Sequence, residues 1–177
     1  MVDGYYSDVV ITFHNHAVSL KDRGLKIKRM EDLSQLSIVA FQRATFILGE
    51  DFARTVQYNN DYNEVADQSL QIKQLFRNRT DVIILEKRIF QYFRRWLYDR
   101  ASILNDEYIV SRSDLRQPVV YHNIFSPSEY RFAFLSEQVR DDFNEGLRTI
   151  RENGTYDSIM SKYEEDLSLP KVEKAQD

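Results

Sequence analysis

The feature that most constrains the fold is a run of four apolar, β-prone residues between two acidic ones, Asp81 and Glu86. Residues 82–85 are too few for a helix, and they predict a strand that is buried on both faces. Apolar residues also recur at helical spacing around Leu75 before this strand and around Phe93 after it. A buried strand between two amphipathic helices predicts an α/β domain, with helices packed on a parallel or mixed sheet.

A second strand shows the same pattern of a strand followed by a helix. The short apolar run 36–41 leads into Thr45, and Leu48, Phe52 and Val56 then recur at helical spacing. This order of strand, tight turn and helix predicts Thr45 as the N-cap of the helix. Two strands that are each followed by a helix strengthen the α/β prediction.

The remaining segments predict turns, further strands and two C-terminal helices. Residues 59–63 are rich in turn formers, and strands are predicted at 9–13, 119–121 and 130–134. Four apolar residues at i, i+4, i+8 and i+11 predict a long amphipathic helix near the C-terminus. These residues are Val139, Phe143, Leu147 and Ile150.

The composition of the 177 residues excludes several classes of protein. A hydrophobic content of 42% with a net charge of -4 argues against intrinsic disorder and against a dedicated nucleic-acid binder. The absence of cysteine excludes disulfides, thiol nucleophiles and cysteine-based metal sites. With neither a phosphate loop nor a recognisable catalytic motif, the sequence predicts a protein that is not an enzyme and that uses no cofactor or metal.

Thr45 and Glu86 together form a candidate binding site. Thr45 lies where a strand leads into a helix, and the free backbone N–H groups there favour an anion. Glu86 lies at the carboxyl end of its strand, where open α/β sheets bind their ligands. Both residues are expected at the same edge of the sheet, so together they suit a zwitterion. The alternative is that Thr45 is only a helix cap and Glu86 only a strand-end residue.

Three segments of the sequence combine into a more specific pattern. They read DLSQLSIVA at 32–40, LFRNRTDVIILE at 75–86, and RDDFNEGL…IRENGTYDSI…KY between 140 and 163. This pattern resembles the family 3 extracellular solute-binding proteins, the periplasmic receptors of polar amino-acid ABC transporters. The resemblance runs from about residue 5 to residue 167. It implies a periplasmic-binding-protein-like α/β fold.

The resemblance also implies how the chain is divided into domains. Residues 8–114 would form one complete α/β lobe, the second lobe of that family. Residues 115–167 would form a C-terminal strand-and-helix remnant of the first lobe, and 168–177 a flexible tail. The sequence begins where the family first crosses between its lobes, so the N-terminal part of lobe one is expected to be absent.

The site residues implied by the resemblance extend those proposed from the sequence pattern. The family's glycine-threonine pair, which holds the ligand carboxylate, falls on Ala44 and Thr45, and Arg43 directly precedes it. The family's acidic residue that holds the ligand amine falls on Glu86. The implied function is the binding of a polar amino acid or similar zwitterion for transport or sensing, with an ABC permease as the protein partner.

The resemblance implies a periplasmic location, although residues 1–4 do not form a signal peptide. Either the protein stays inside the cell or a leader precedes this sequence.

An alternative function follows from the reduced first lobe. Without the rest of that lobe, the apolar stripe around Phe143 and Leu147 needs another cover. Homodimerisation through the C-terminal segment is one solution, and packing back onto the second lobe is another. The alternative function is therefore an interaction or structural module that keeps the fold, has lost ligand binding and self-associates.

Overall fold

The computed structural model describes residues 3–101, 110–165 and 167–170. The strands are β1 (Tyr5–Tyr6), β2 (Ile11–Phe13), β3 (Asn15–Leu20), β4 (Ile38–Phe41), β5 (Tyr62–Val65), β6 (Val82–Glu86), β7 (Val119–His122), β8 (Ser128–Tyr130) and β9 (Ala133–Phe134). The helices are α1 (Ala44–Ile47), α2 (Glu50–Val56), α3 (Ser69–Phe76), α4 (Lys87–Arg100), α5 (Arg112–Leu115), α6 (Glu137–Glu152) and α7 (Thr155–Glu165). None of the helices within the described ranges has the length and apolar character needed to cross a membrane.

The chain forms two compact units. Of the described residues, the larger contains 15–101, 110–126 and 167–170, and the smaller contains 3–14 and 127–165. The lobe boundaries expected from the sequence, with a change after residue 114, stay a prediction. Most of the expected tail, residues 171–177, lies outside the described residues, whereas Leu169 packs against the core of the larger unit.

The larger unit is built on a five-stranded mixed sheet with the strand order β5-β4-β6-β3-β7. β4 pairs in parallel with β5 and β6, whereas β3 is antiparallel to β6 and β7. Successive side chains of β6 enter different cores because a strand alternates its faces. Ile83 and Leu85 lie in one hydrophobic cluster, and Val82 and Ile84 lie in the other. The predicted α/β class, with helices on both sides of a buried strand, is confirmed.

The predicted helix after β4 is interrupted. Instead of one helix through Leu48, Phe52 and Val56, α1 ends at Ile47 and α2 begins at Glu50. Gly49 between them has a φ of 92°, which glycine adopts without the steric cost that other residues meet. Phe52 and Val56 are buried as the spacing predicted.

Two strands of the sheet differ from the prediction. β5 begins at Tyr62, inside the residues predicted as a turn, and β3 was not predicted as a strand. The apolar pattern of β3 is interrupted by Ser19, which is buried all the same. Its hydroxyl hydrogen-bonds Nε2 of His122 at 2.9 Å, so the polar group is satisfied inside the sheet.

The smaller unit has little core of its own. β1 pairs with β9 and β2 with β8, so the strand predicted at 130–134 is divided between β8 and β9. The predicted stripe lies on α6, where Phe143 contacts the rings of Phe132 and Phe134 at centroid distances of 5.4 and 5.2 Å. Leu147 is the one buried apolar side chain among the described residues of this unit, and Val139 is 51% exposed.

Candidate functional site

The turn between β4 and α1 presents two backbone N–H groups toward the neighbouring strand β5. Arg43 is the N-cap of α1 and has a φ of 65°, a left-handed conformation that is uncommon outside glycine. Ala44 follows with its side chain fully buried in the core, so only its backbone borders the turn. The exposed Arg43 guanidinium lies over the Phe46 ring, 4.9 Å from the centroid. The donors of this turn are the N–H groups of Arg43 and Thr45 together with the Thr45 hydroxyl.

A carboxylate of the protein itself, that of Glu64, is bound at this turn. The N–H group of Arg43 donates to Oε2 of Glu64 at 2.6 Å. The N–H and hydroxyl groups of Thr45 donate to Oε1 at 3.0 and 3.1 Å. The hydroxyl of Tyr62 donates to the same oxygen at 2.7 Å. We call these two N–H groups and two hydroxyls the donor cluster.

The donor cluster changes the acidity of the groups that it joins. Burial alone would raise the pKa of Glu64, but the hydrogen bonds from Thr45, Tyr62 and Arg43 outweigh it, and the pKa is lowered from its ordinary value. Burial raises the pKa of Tyr62, and its hydrogen bond to the Glu64 carboxylate raises it further. Glu64 is therefore held as a carboxylate and Tyr62 as a neutral donor at neutral pH.

A cavity of about 440 Å³ borders the donor cluster. Thr45 and Tyr62 line it together with two apolar side chains, a glutamine and an ion pair. These are Ala53, Val56, Gln57 and the pair formed by Glu50 and Arg54. Its volume falls within the range of small-molecule sites, which begins at about 300 Å³. The cavity places open space beside the two residues whose hydroxyls bind a carboxylate.

Glu86 lies at the same edge of the sheet but has a different environment. Since β4 and β6 are parallel, with Ala40 opposite Ile84, their carboxyl ends lie side by side. Glu86 is only 3% exposed. Its Oε2 accepts hydrogen bonds from the N–H groups of Arg88 at 2.6 Å and Ile89 at 3.1 Å, which makes it the N-cap of α4. The Arg88 guanidinium lies 3.0 Å from its other oxygen.

The structure brings together some of the predicted site residues and corrects one detail. Arg43, Ala44 and Thr45 are consecutive at one turn, and Glu86 ends a strand adjacent to it. The prediction of Thr45 as N-cap is wrong, because Arg43 occupies that position. The Thr45 hydroxyl donates to Glu64 across the sheet instead of accepting from its own helix.

Sequence reasoning missed Glu64 and Tyr62 because it assigned residues 59–63 to a turn. In an alternating order of strands and helices, a strand is expected between helices α2 and α3. That expectation could have identified residues near 62–65 as a strand. The short stretch 62–65 is that strand, and it pairs in parallel with β4. Its alternation places Tyr62 and Glu64 on one face, which is how both reach the donor cluster.

Comparison with solved structures identifies the fold. An amino acid ABC transporter substrate-binding protein from Streptococcus pneumoniae, bound to L-arginine, aligns with a TM-score of 0.63 at 14% identity, over 98% of this chain and 67% of that chain. The GluR0 ligand-binding core with L-glutamate aligns with a TM-score of 0.63 at 10% identity, over 92% of this chain and 65% of that one. A histidine kinase sensor domain similar to periplasmic binding proteins gives 0.61 at 14% identity, with 91% and 62% covered.

The chain therefore has the fold of the periplasmic binding proteins, and the predicted resemblance is confirmed at the level of the fold. It spans about two thirds of the length of the chains that it matches. No family model matches the sequence. The matched proteins are described as binding and sensor domains, and at these identities the likeness concerns the fold alone.

Proposed function

We propose that this protein binds a polar amino acid or a similar zwitterion and holds the ligand carboxylate at the donor cluster. The main support for this proposal is that the donor cluster already binds a carboxylate, that of Glu64, through two N–H groups and two hydroxyls. Convergent donors of this kind give strong charge-assisted hydrogen bonds. The adjoining cavity of about 440 Å³ offers room for the rest of a small ligand.

The proposed roles of the other site residues follow from the resemblance. Ala44 would contribute backbone, because its side chain is buried in the core. Glu86 would bind the ligand ammonium group. Its carboxylate is buried and already caps α4, so that role rests on its place at the strand end and on the resemblance. No catalytic step, cofactor or metal is part of the proposal.

The proposed setting is transport or sensing outside the cytoplasm. Two of the matched structures hold arginine and glutamate, and a third belongs to a sensor kinase. An ABC permease is the partner expected for transport, and the periplasm is the location expected from the resemblance. This chain covers about two thirds of the matched substrate-binding protein, so both expectations are proposals.

A thermal-shift screen with common amino acids at millimolar concentration tests the proposal. A ligand at a hundred times its Kd adds about 2.7 kcal/mol, which raises the melting temperature by several degrees. We expect at least one amino acid to do so, and the decarboxylated analogue of that hit to give no shift. Thr45→Val, which removes one donor and keeps the side-chain shape, should weaken binding about tenfold when it is made in a Glu64→Ala chain, where no carboxylate of the protein shares that donor.

The matched control for that variant is Thr55→Val. The Thr55 hydroxyl is exposed and donates to the backbone of its own helix, at the Asp51 carbonyl. A flat screen on a well-folded sample would contradict the proposal, as would equal affinities for the Thr45→Val and Thr55→Val variants in the Glu64→Ala chain.

The second candidate function is a self-associating module without ligand binding, and the exposed apolar side chains of the smaller unit favour it. Among its described residues the smaller unit exposes several large apolar side chains, and burying such side chains against a second copy would be favourable. They are Tyr5, Tyr6, Tyr130, Phe132, Leu135, Val139, Ile159 and Tyr163.

Light scattering tests this candidate. It predicts a species of twice the chain mass that Val139→Lys returns to the monomer, because a charge would then be buried at the contact. Lys162→Glu, which changes an exposed charge on α7, is the control. A monomer at every concentration would exclude this candidate.

A further inference from the structure

We propose that Glu64 is an internal competitor, a side chain that takes the position of the ligand carboxylate at the donor cluster and must leave before a ligand can bind. This inference rests on the proposed function and adds a control of that same site. It concerns Glu64 itself, a residue that the sequence pattern did not point to.

Glu64 and a ligand carboxylate cannot use the donor cluster together. Each N–H group of Arg43 and Thr45 has a single hydrogen, and each donates it to Glu64. The hydroxyls of Thr45 and Tyr62 donate their single hydrogens to the same carboxylate. A second carboxylate at this place would find no free donor and would meet a like charge. Binding at the cluster is therefore an exchange of one carboxylate for another.

The position of Glu64 allows it to leave without disturbing the fold. It lies on β5, the edge strand of the sheet, and is only half-buried. Its backbone pairs with Ala40 of β4, so strand pairing does not depend on the side chain. Within the described part of the chain no salt bridge holds its carboxylate. Rotation of the side chain into solvent would free all the donors at once.

The consequence is a lower apparent affinity. A ligand can bind only when Glu64 has left the cluster. Its apparent affinity is therefore its intrinsic affinity multiplied by the fraction of time for which the cluster is free. If the cluster is free for about a tenth to a hundredth of the time, removing the Glu64 carboxylate should raise the affinity for a carboxylate ligand by about ten- to a hundredfold. The same removal should allow acetate, the simplest carboxylate, to bind.

The experiment is an NMR titration of the Thr45 amide in the wild-type chain and in Glu64→Ala, with acetate and with the amino acids of the screen. Glu50→Ala is the matched control, because Glu50 lines the same cavity but is not bound to the donor cluster. Glu64→Gln is a second variant that keeps the size of the side chain. The dispersed amide spectrum of each variant shows that it is folded.

The expected result is that acetate shifts the Thr45 amide of Glu64→Ala at concentrations that leave the wild type and Glu50→Ala unchanged. Amino-acid affinity should rise in the same variant. If acetate binds Glu64→Ala but no amino acid binds any variant, the competitor role stands and the proposed function fails. If amino acids bind the wild type and Glu64→Ala equally, the proposed function stands and the competitor role is overturned. If neither acetate nor an amino acid moves the Thr45 amide in any variant, both are overturned.

Discussion

Replacing Glu86 by alanine should lower the free energy of unfolding by about 3 kcal/mol, because it removes a buried carboxylate that satisfies two backbone N–H groups and pairs with a half-buried guanidinium. The carboxylate is 3% exposed and accepts hydrogen bonds from the N–H groups of Arg88 and Ile89 at the start of α4. Alanine leaves those N–H donors without their acceptor and removes the carboxylate oxygen that lies 3.0 Å from the Arg88 guanidinium. Urea unfolding followed by circular dichroism measures the change.

Ser136→Ala provides the comparison for Glu86→Ala. Ser136 is also a helix N-cap, on α6, but its hydroxyl accepts a single exposed hydrogen bond from Val139 at 3.5 Å. Its loss should cost about 0.5 kcal/mol, the lower end for caps. Similar losses for the two variants would mean that Glu86 is an ordinary cap, without the added contribution of its burial and its pairing with Arg88.

Glu64→Gln should lower the free energy of unfolding by about 1.5 kcal/mol at neutral pH, and the difference from the wild type should vanish in acid. The amide keeps the size of the side chain but loses the charge that the donors of Arg43, Thr45 and Tyr62 stabilise. Because hydrogen bonding lowers the pKa of Glu64 in the folded state, its contribution is complete above the ordinary value of 4.5. It is lost as the pH falls through the lowered pKa of the folded protein.

The measurement for this variant is urea unfolding of both proteins at a series of pH values. The carboxyl groups of Asp32 and Asp81 also have lowered pKa values, but they are common to both proteins and cancel in the difference. A difference that is the same at pH 3 and pH 7 would mean that the Glu64 charge does not stabilise the fold.

The sequence predicts the centre of the sheet well because hydrophobic pattern and burial coincide there. Residues 82–85 are apolar without interruption, and the structure buries them in β6 between two cores. The parallel pairing of β4 with β6 also follows from the pattern of strands and helices, and it puts Thr45 and Glu86 at the same edge. What a single sequence reveals here is the framework that positions the site.

The sequence did not predict that Glu64 would be bound at the donor cluster. Glu64 lies on an edge strand of four residues whose composition, Tyr-Asn-Glu-Val, gives a weak strand signal beside the turn formers at 59–61. Its contact with Thr45 joins residues 19 positions apart through the register of two parallel strands. Such a contact depends on tertiary register, which local pattern does not encode.

Glu86 shows that one sequence position can be explained in two ways. Its place at the end of a strand predicts a ligand-facing carboxylate, but the helix that follows directly needs a cap, and Glu86 supplies it. The sequence is consistent both with a ligand-binding carboxylate and with a helix cap at Glu86. The three-dimensional contacts show that it makes the hydrogen bonds of a cap. Binding data on Glu86 variants therefore have to be read together with their stabilities.

The donors at Arg43, Thr45 and Tyr62 hold the carboxylate of Glu64. An NMR pH titration of the Glu64 side-chain carboxyl carbon, with the Thr45 amide followed in the same samples, tests this arrangement most directly. We predict a pKa for Glu64 below its ordinary value of 4.5, and a chemical shift of the Thr45 amide that changes with the same midpoint. A Glu64 that titrates at the ordinary value, with a Thr45 amide that does not respond, would contradict it.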